Sequence, residues 1–250
     1  MNKFNQFIMA TKLANPDLSV VILCYKSGEL SRQFVDMVRA LFSKEKINDY
    51  ELVLVGNYLS GTDDITPLIV KEISFSCDNV QCVAEEKRGM MGWDMKSGLS
   101  LAKGRYIAVI DGDGQMPIED LARAYKEIVA TGADLVKTYR FKRGDSLLRK
   151  LISLSYNLFF RLLFPGLGAK DINSKPKIFT QAAYRKLKLS SDDWFIDAEI
   201  MIQARRLCFK IVEIPTVFLG LTGRRSFVGL KAVAEFIKNL VIYRIKEFFN

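Results

Sequence analysis

Residues 105–115 read Arg-Tyr-Ile-Ala-Val-Ile-Asp-Gly-Asp-Gly-Gln. The apolar run Tyr106 to Ile110 breaks abruptly into Asp111-Gly112-Asp113-Gly114-Gln115. Such a run is expected of a buried parallel strand, and alternating Asp and Gly make a tight turn. Two carboxylates on that turn converge on one point, and the glycines admit a pyrophosphate at close range. A hard cation held by Asp111 and Asp113, with Gln115 nearby, would neutralise the charge that develops on a departing nucleoside diphosphate. A plain Asp/Gly turn is the simpler reading. Its position at the end of a buried strand favours the metal site, because ligands of parallel sheets bind at the carboxyl ends of strands.

Working outward, strands are expected at Ser19–Cys24, Glu51–Val55, Val80–Ala84, Arg105–Ile110 and Asp134–Thr138. Helical patterns fall between them, at about 30–42, 65–74, 90–102 and from Pro117 to about Thr131. Strands alternating with helices mean an α/β fold, a mostly parallel twisted sheet flanked by helices. The residues just after each strand then deserve inspection: Tyr25, Asn57, Glu85 to Arg88, Asp111 to Gln115 and Arg140.

Composition narrows the chemistry. The chain has no histidine, which excludes a Ser-His-Asp triad, a histidine base and a histidine metal ligand. A metal must be held by oxygen, so Mg²⁺ or Mn²⁺ is expected rather than zinc. Cys24, Cys77, Cys82 and Cys208 form no CxxC pair and read as buried free thiols of a reducing, cytoplasmic compartment. The net charge of +9 favours anionic partners. No nucleic-acid-binding motif is present, and neither GxGxxG nor GxxxxGK[ST] follows the first strand. No signal peptide is expected in residues 1–17. No apolar run reaches the roughly 18 residues that span a bilayer, so the chain is expected to lie on a membrane face rather than cross it.

After Arg140 the character changes. Residues 140–150 hold five basic groups and one acid, and an apolar segment, 151–164, follows. Arg149 and Ser153 share a helix face at i,i+4 spacing, and a solvated basic patch is the plain reading of this stretch. Leu151, Leu154, Leu158, Phe159 and Leu162 face either lipid or the core. Residues 228–250 read as an amphipathic helix, with Val233, Phe236, Ile237, Leu240 and Val241 on one face.

These pieces together resemble the inverting GT-A-fold glycosyltransferases of family 2, and within them the polyprenyl-phosphate sugar synthases of the dolichol-phosphate mannose synthase kind. The resemblance runs from about Leu18 to Gly229. It rests on the first strand with Tyr25 and Glu29, the Arg88-Gly89 helix start, and Asp111, Asp113 and Gln115. It continues in Phe195-Ile-Asp197-Ala-Glu199, in Glu213-Ile-Pro215 and in Arg224 or Arg225 before Ser226. It implies an N-terminal extension over 1–17, a GT-A domain over 18–222 and a C-terminal helical tail over 223–250.

The resemblance also implies roles. A UDP- or GDP-linked sugar would lie along the strand ends, with Tyr25, Glu29 and Asn57 near the nucleoside and Arg88 and Gly89 beside it. Arg224 or Arg225 would steady the leaving phosphates, and a polyprenyl phosphate held by Arg140, Arg149 and Ser153 would attack. Asp197 or Glu199 would be the base for a hydroxyl acceptor, the alternative substrate in cell-surface polysaccharide synthesis. A membrane-surface binding protein of little catalytic power is the non-enzymatic alternative. Expected location is cytoplasmic, peripheral at the inner membrane face, with a homodimer or a separate membrane partner left open. Two departures stand out: Gly56-Asn57 replaces an Asp-Asp pair, and Lys175 stands where a small residue is expected.

Overall fold

The computed structural model describes residues 15–143, 157–218 and 237–245. Seven strands form one sheet: β1 (Leu18–Leu23), β2 (Tyr50–Val55), β3 (Val80–Val83), β4 (Tyr106–Asp111), β5 (Leu135–Arg143), β6 (Lys177–Thr180) and β7 (Ile211–Phe218). Their spatial order is β3-β2-β1-β4-β6-β5-β7. β1 pairs in parallel with β2 and β4, β2 with β3, and β5 with β7. Only β6 runs against its neighbours, pairing antiparallel with both β4 and β5. The expected mostly parallel α/β sheet is therefore present, and β6 and β7 are the strands that the pattern did not announce.

The helices are α1 (Leu30–Lys44), α2 (Thr66–Ser76), α3 (Met91–Leu99), α4 (Glu119–Thr131), α5 (Gln181–Tyr184) and α6 (Ile196–Arg206). Strand alternation sends Val20 and Ile22 into one core layer and Val21 and Leu23 into the other. Phe34, Val38, Ile69, Val70 and Leu121 bring α1, α2 and α4 onto the first face. Met95, Leu99, Ile196 and Ile200 bring α3 and α6 onto the second, joined by Phe160, Phe164 and Leu240. Each such side chain contributes about 1.5–3 kcal/mol by leaving water. α3 lies very close on the sheet: a Cβ at Gly98 would sit 2.5 Å from Val21 and 2.6 Å from Val55.

Residues 157–163 and 237–245 are helical, in keeping with the patterns read over 151–164 and 228–250. Phe160 and Phe164 are buried, whereas Leu158, Phe159 and Leu162 are exposed. Leu151, Leu154, Val233 and Phe236 lie outside the described residues. The thiols differ from expectation: only Cys24 is buried, and Cys208 is exposed. Burial pushes the Cys24 thiol up to about 12. Among the described residues, no helix is long and apolar enough to cross a membrane.

Candidate active site

The turn after β4 has the shape its sequence requires. Gly112 packs under β1, where a Cβ would stand 3.0 Å from Ile22 and 3.2 Å from the Leu23 carbonyl. Gly114 adopts φ +70°, and among the described residues a Cβ there would meet nothing within 4 Å. The Gln115 backbone N–H donates to Asp113 Oδ1 at 3.1 Å, which fixes the half-buried Asp113. The Asp111 side chain is 37% exposed. Two carboxylates and an amide are hard oxygen donors, and they suit Mg²⁺ or Mn²⁺ whose remaining positions are filled by phosphate and water. Among the described residues no cluster of three acidic, Cys or His side chains forms a complete protein cage. The donor set therefore fits a cation shared with a phosphate ligand.

Beside the turn lies a buried ionic cluster. Lys175 Nζ stands 3.3 Å from Asp111 Oδ1 and 3.1 Å from Asp197 Oδ2. Lys177 Nζ is 2.6 Å from Asp197 Oδ1 and donates to the Ser174 carbonyl at 3.0 Å. Burial opposes the charge on Asp197, but Lys175 and Lys177 outweigh it and hold the carboxyl below its ordinary 3.8. Burial pushes Lys177 down to about 8, with Lys137 and Lys175 adding to the effect and Asp197 opposing it. Glu199, also buried, accepts from the Ser190 backbone and hydroxyl, the Ser191 N–H and the Tyr243 hydroxyl. That carboxylate orders the 190–193 loop. Sequence reasoning put both carboxylates forward as bases, and the geometry ties both to internal partners.

Arg140, expected on an acceptor phosphate, forms a two-pronged pair with Asp171. Nε and Nη2 lie 2.6 and 2.9 Å from the two carboxylate oxygens. The strand pairing of β5 with β7 shifts register just after Arg140, and this irregularity accompanies the turn of its side chain toward the 171–177 segment. Lys137, fully buried, pairs with Glu213 at 3.0 Å.

On the same carboxyl edge, Tyr25 follows β1, the strand that pairs with β4 and sets Leu23 level with Asp111, as expected. Lys87 Nζ lies 3.9 Å from its ring centroid and is ion-paired with Asp94. Asn57 is fully buried. Its amide donates to Asp94 Oδ1 at 3.1 Å and Ser97 Oγ at 2.9 Å, and its oxygen accepts from the Glu85 N–H at 2.9 Å. Both amide protons are thus used inside the protein, and Asn57 shapes the floor rather than offering a donor to a base. Burial raises the Asp94 carboxyl above 3.8, against Lys87 and Asn57. Glu29 is exposed and bridges to Arg32 at 3.3 Å. An open groove of ≈ 410 Å³ runs between the β1–α1 and β2–α2 loops, lined by Lys26, Ser27, Gly28, Thr62, Asp63, Asp64 and Ile65.

Arg88 is exposed. Gly89 has no side chain for a packing reason: a Cβ would lie 2.7 Å from the Asp192 carbonyl. The Met90 and Gly92 N–H groups donate to the Asp192 and Asp193 carbonyls at 2.6 and 2.9 Å. The start of α3 is therefore capped by the 190–193 loop and not held ready for an anion. Arg149, Ser153, Arg224 and Arg225 lie outside the described residues.

Lys87, Asp94 and Asp171 pair with the candidate residues Tyr25, Asn57 and Arg140, and sequence reasoning gave none of them a role. Asp94 carried a signal, as the only acid between Glu86 and Asp111. Lys175 stands out in the sequence as a departure, but the carboxylate partners of Lys175 and Lys177 do not.

The comparisons with known proteins bear on the fold and the family. A dolichyl-phosphate beta-glucosyltransferase of Trichomonas vaginalis is 23% identical over 211 residues, covering 78% of this chain and 63% of that protein. One from Saccharomyces cerevisiae is 25% identical over 252 residues, covering 91% of this chain and 74% of the relative. The chain thus spans between just under two thirds and three quarters of these relatives' length. A solved structure of glucosyl-3-phosphoglycerate synthase from Mycobacterium tuberculosis, in complex with Mn²⁺, uridine diphosphate and glucosyl-3-phosphoglycerate, is 16% identical. It matches with a TM-score of 0.67 over 92% of this chain and 80% of that one, which speaks for the GT-A fold. The profile of "Glycosyl transferase family 2" matches residues 19–191, from β1 through the Asp111–Gln115 turn to the loop that caps α3. With that match, and with the turn placed at the carboxyl end of a GT-A sheet, the chain belongs to glycosyl transferase family 2.

Proposed function

We propose that the chain transfers a sugar, with inversion, from a nucleoside diphosphate sugar to a polyprenyl phosphate. The observation that carries this is the condition of Asp197. It is buried, paired with two ammonium groups and held below its ordinary pKa. A general base works best with a pKa near the operating pH, and a carboxylate so stabilised accepts a proton poorly. A hydroxyl acceptor would not have Asp197 as its base. A phosphate acceptor is already anionic, with a second pKa of about 6, and needs none. The relatives named as dolichyl-phosphate glucosyltransferases support that acceptor class. The structural neighbour that holds Mn²⁺ with uridine diphosphate supports a divalent cation and a UDP-linked donor over a GDP-linked one.

In this reading the nucleoside lies against Tyr25 and Lys87, with Glu29 and the groove beside it and Asn57 beneath. Asp111, Asp113 and Gln115 would hold Mg²⁺ or Mn²⁺. When bound, that cation supplies charge neutralisation for the leaving group. Arg224 or Arg225 steadies the same phosphates. Arg149 and Ser153 hold the acceptor phosphate, with Arg140 fixed nearby by Asp171. Residues 18–222 form the catalytic domain and 223–250 a tail. The exposed Leu158 and Leu162, with Ile237, Val241 and Ile245 on the tail, support a peripheral seat on the cytoplasmic membrane face.

The test is a transfer assay with Mn²⁺ or Mg²⁺, a panel of UDP- and GDP-sugars, and undecaprenyl or dolichyl phosphate. Transfer that requires both metal and lipid phosphate is expected. Preferential transfer to a saccharide or protein hydroxyl would refute the acceptor assignment. Failure to bind any donor would refute the enzyme reading.

A further inference from the structure

A cation already sits at the Asp111 turn. Lys175 Nζ lies 3.3 Å from one Asp111 oxygen and 3.4 Å from the other, and its side chain is only 3% exposed. It is also 3.1 Å from Asp197 and 3.2 Å from Met91 Sδ. The backbone beneath it is anchored: the Lys175 carbonyl accepts from Thr138 Oγ1 at 2.8 Å, and Thr138 Oγ1 also meets Ser174 Oγ at 2.6 Å. The ammonium is therefore part of the packed interior and not a surface group that swings aside.

We propose that Lys175 is a resident counter-cation of the Asp111–Asp113 turn: it positions the Asp111 carboxylate and weakens metal binding in the absence of nucleotide, so that metal and nucleoside diphosphate bind as a pair. The inference rests on the reading of this turn as the metal site. A divalent ion on Asp111 stands a few ångströms from a buried ammonium, and like charges at that range repel strongly where water is scarce. The same ammonium attracts a diphosphate. Nucleotide thus reverses the sign of the local balance, and the two ligands become coupled. The lack of a third acidic side chain at the turn among the described residues leaves the protein little with which to offset the repulsion by itself.

The experiment is a Mn²⁺ titration of the full chain, read by loss of the free-ion electron paramagnetic resonance signal, with and without UDP or GDP. Wild type is compared with Lys175→Met, Lys175→Gln and Lys175→Arg. Expected is weak Mn²⁺ binding by wild type alone and much tighter binding with nucleotide. Lys175→Met should bind Mn²⁺ alone about tenfold tighter or more, with a smaller gain from nucleotide, and Lys175→Arg should behave like wild type. The Gln variant keeps polar contact with both carboxylates and decides the matter if the Met variant does not fold. Charge-removing variants whose Mn²⁺ affinity equals or falls below that of wild type, while nucleotide-linked binding persists, would overturn the role of Lys175. Absence of Mn²⁺ binding in every form, with nucleotide present, would instead overturn the metal-site reading and this inference with it.

Discussion

Replacing Arg140 with methionine removes a guanidinium and keeps most of the apolar stem. In the folded protein that guanidinium meets Asp171 at 2.6 and 2.9 Å, with side-chain exposures of 14% for Arg140 and 8% for Asp171. Arg140→Met strands a buried carboxylate, which usually costs about 3–5 kcal/mol. The Arg140 and Asn173 backbone N–H groups still reach Asp171 at 3.3 Å, and slight exposure softens the loss. A destabilisation of roughly 2–4 kcal/mol is therefore expected. The double variant Arg140→Met, Asp171→Asn should recover about half of it, since the stranded charge is gone.

The pH dependence has a definite sign. Burial would raise the Asp171 carboxyl, but Arg140 outweighs it, so the folded pKa lies well below the ordinary 3.8. A depressed carboxylate pKa stabilises the fold at pH values above the unfolded pKa. That stabilisation is lost as pH falls below 3.8 toward the folded value. The gap between wild type and Arg140→Met should be full at neutral pH and shrink at about pH 3. Urea unfolding followed by the fluorescence of Trp93 and Trp194 at both pH values measures it. A gap under about 1 kcal/mol at neutral pH, or one that ignores pH, would refute the structural pairing. If acceptor KM then rose in the same variant, Arg140 would belong to the acceptor phosphate.

Asp113→Ala should abolish transfer and nucleotide-linked Mn²⁺ binding while shifting stability by only about 0.5 kcal/mol, as expected of a half-buried turn residue. Retained turnover in that variant would contradict the site. Lys87→Met should cost about 2–4 kcal/mol by stranding buried Asp94 and raise donor KM more than it lowers kcat. An unchanged donor KM would remove Lys87 and Tyr25 from the nucleoside site. Gly92→Ala drives a Cβ to within 2.3 Å of the Ser191 carbonyl and 2.8 Å of the Asp193 carbonyl. It should lower stability by about 1–3 kcal/mol, and a melting temperature equal to that of wild type would show that the loop yields freely.

What was legible in the sequence follows from physical range. β1, β2 and β4 are six-residue strands that each hold an unbroken apolar run, Val20–Leu23, Leu52–Val55 and Tyr106–Ile110, and their burial on both faces writes itself into local composition. The Asp111–Gln115 turn was visible for the same reason. β6 was not, because Lys177-Ile178-Phe179-Thr180 is short and follows Lys175-Pro176, which reads locally as a loop. Its lysine is tolerated inside only because Asp197, twenty residues on, lies 2.6 Å away. Asn57 shows the same limit. Its type and position suited a base contact, but Asp94, thirty-seven residues distant, decides where its amide points. Pairings of this kind depend on tertiary approach, and no local pattern encodes them.

The reversal at β6 explains why the charges gather where they do. An antiparallel strand starts where its parallel neighbours end. Val109 of β4 faces Lys177 of β6, and the same register carried two residues further sets Asp111 opposite Lys175. The topology therefore delivers Lys175, just before β6, and Lys177, its first residue, to the carboxyl edge that already holds the Asp turn. Lys137, Arg140, Lys175 and Lys177 are matched there by Glu213, Asp171, Asp111 and Asp197. Four cations and four anions cancel formally, so the net charge of +9 resides elsewhere on the chain. Buried pairs of this kind fix geometry more than they add stability. They hold two of the site's carboxylates, Asp111 and Asp197, in place, and in the proposed reaction recruitment of an anionic acceptor falls to basic groups outside the cluster. An acceptor that arrives already charged asks for that arrangement, and a neutral hydroxyl would need Asp197 released from it.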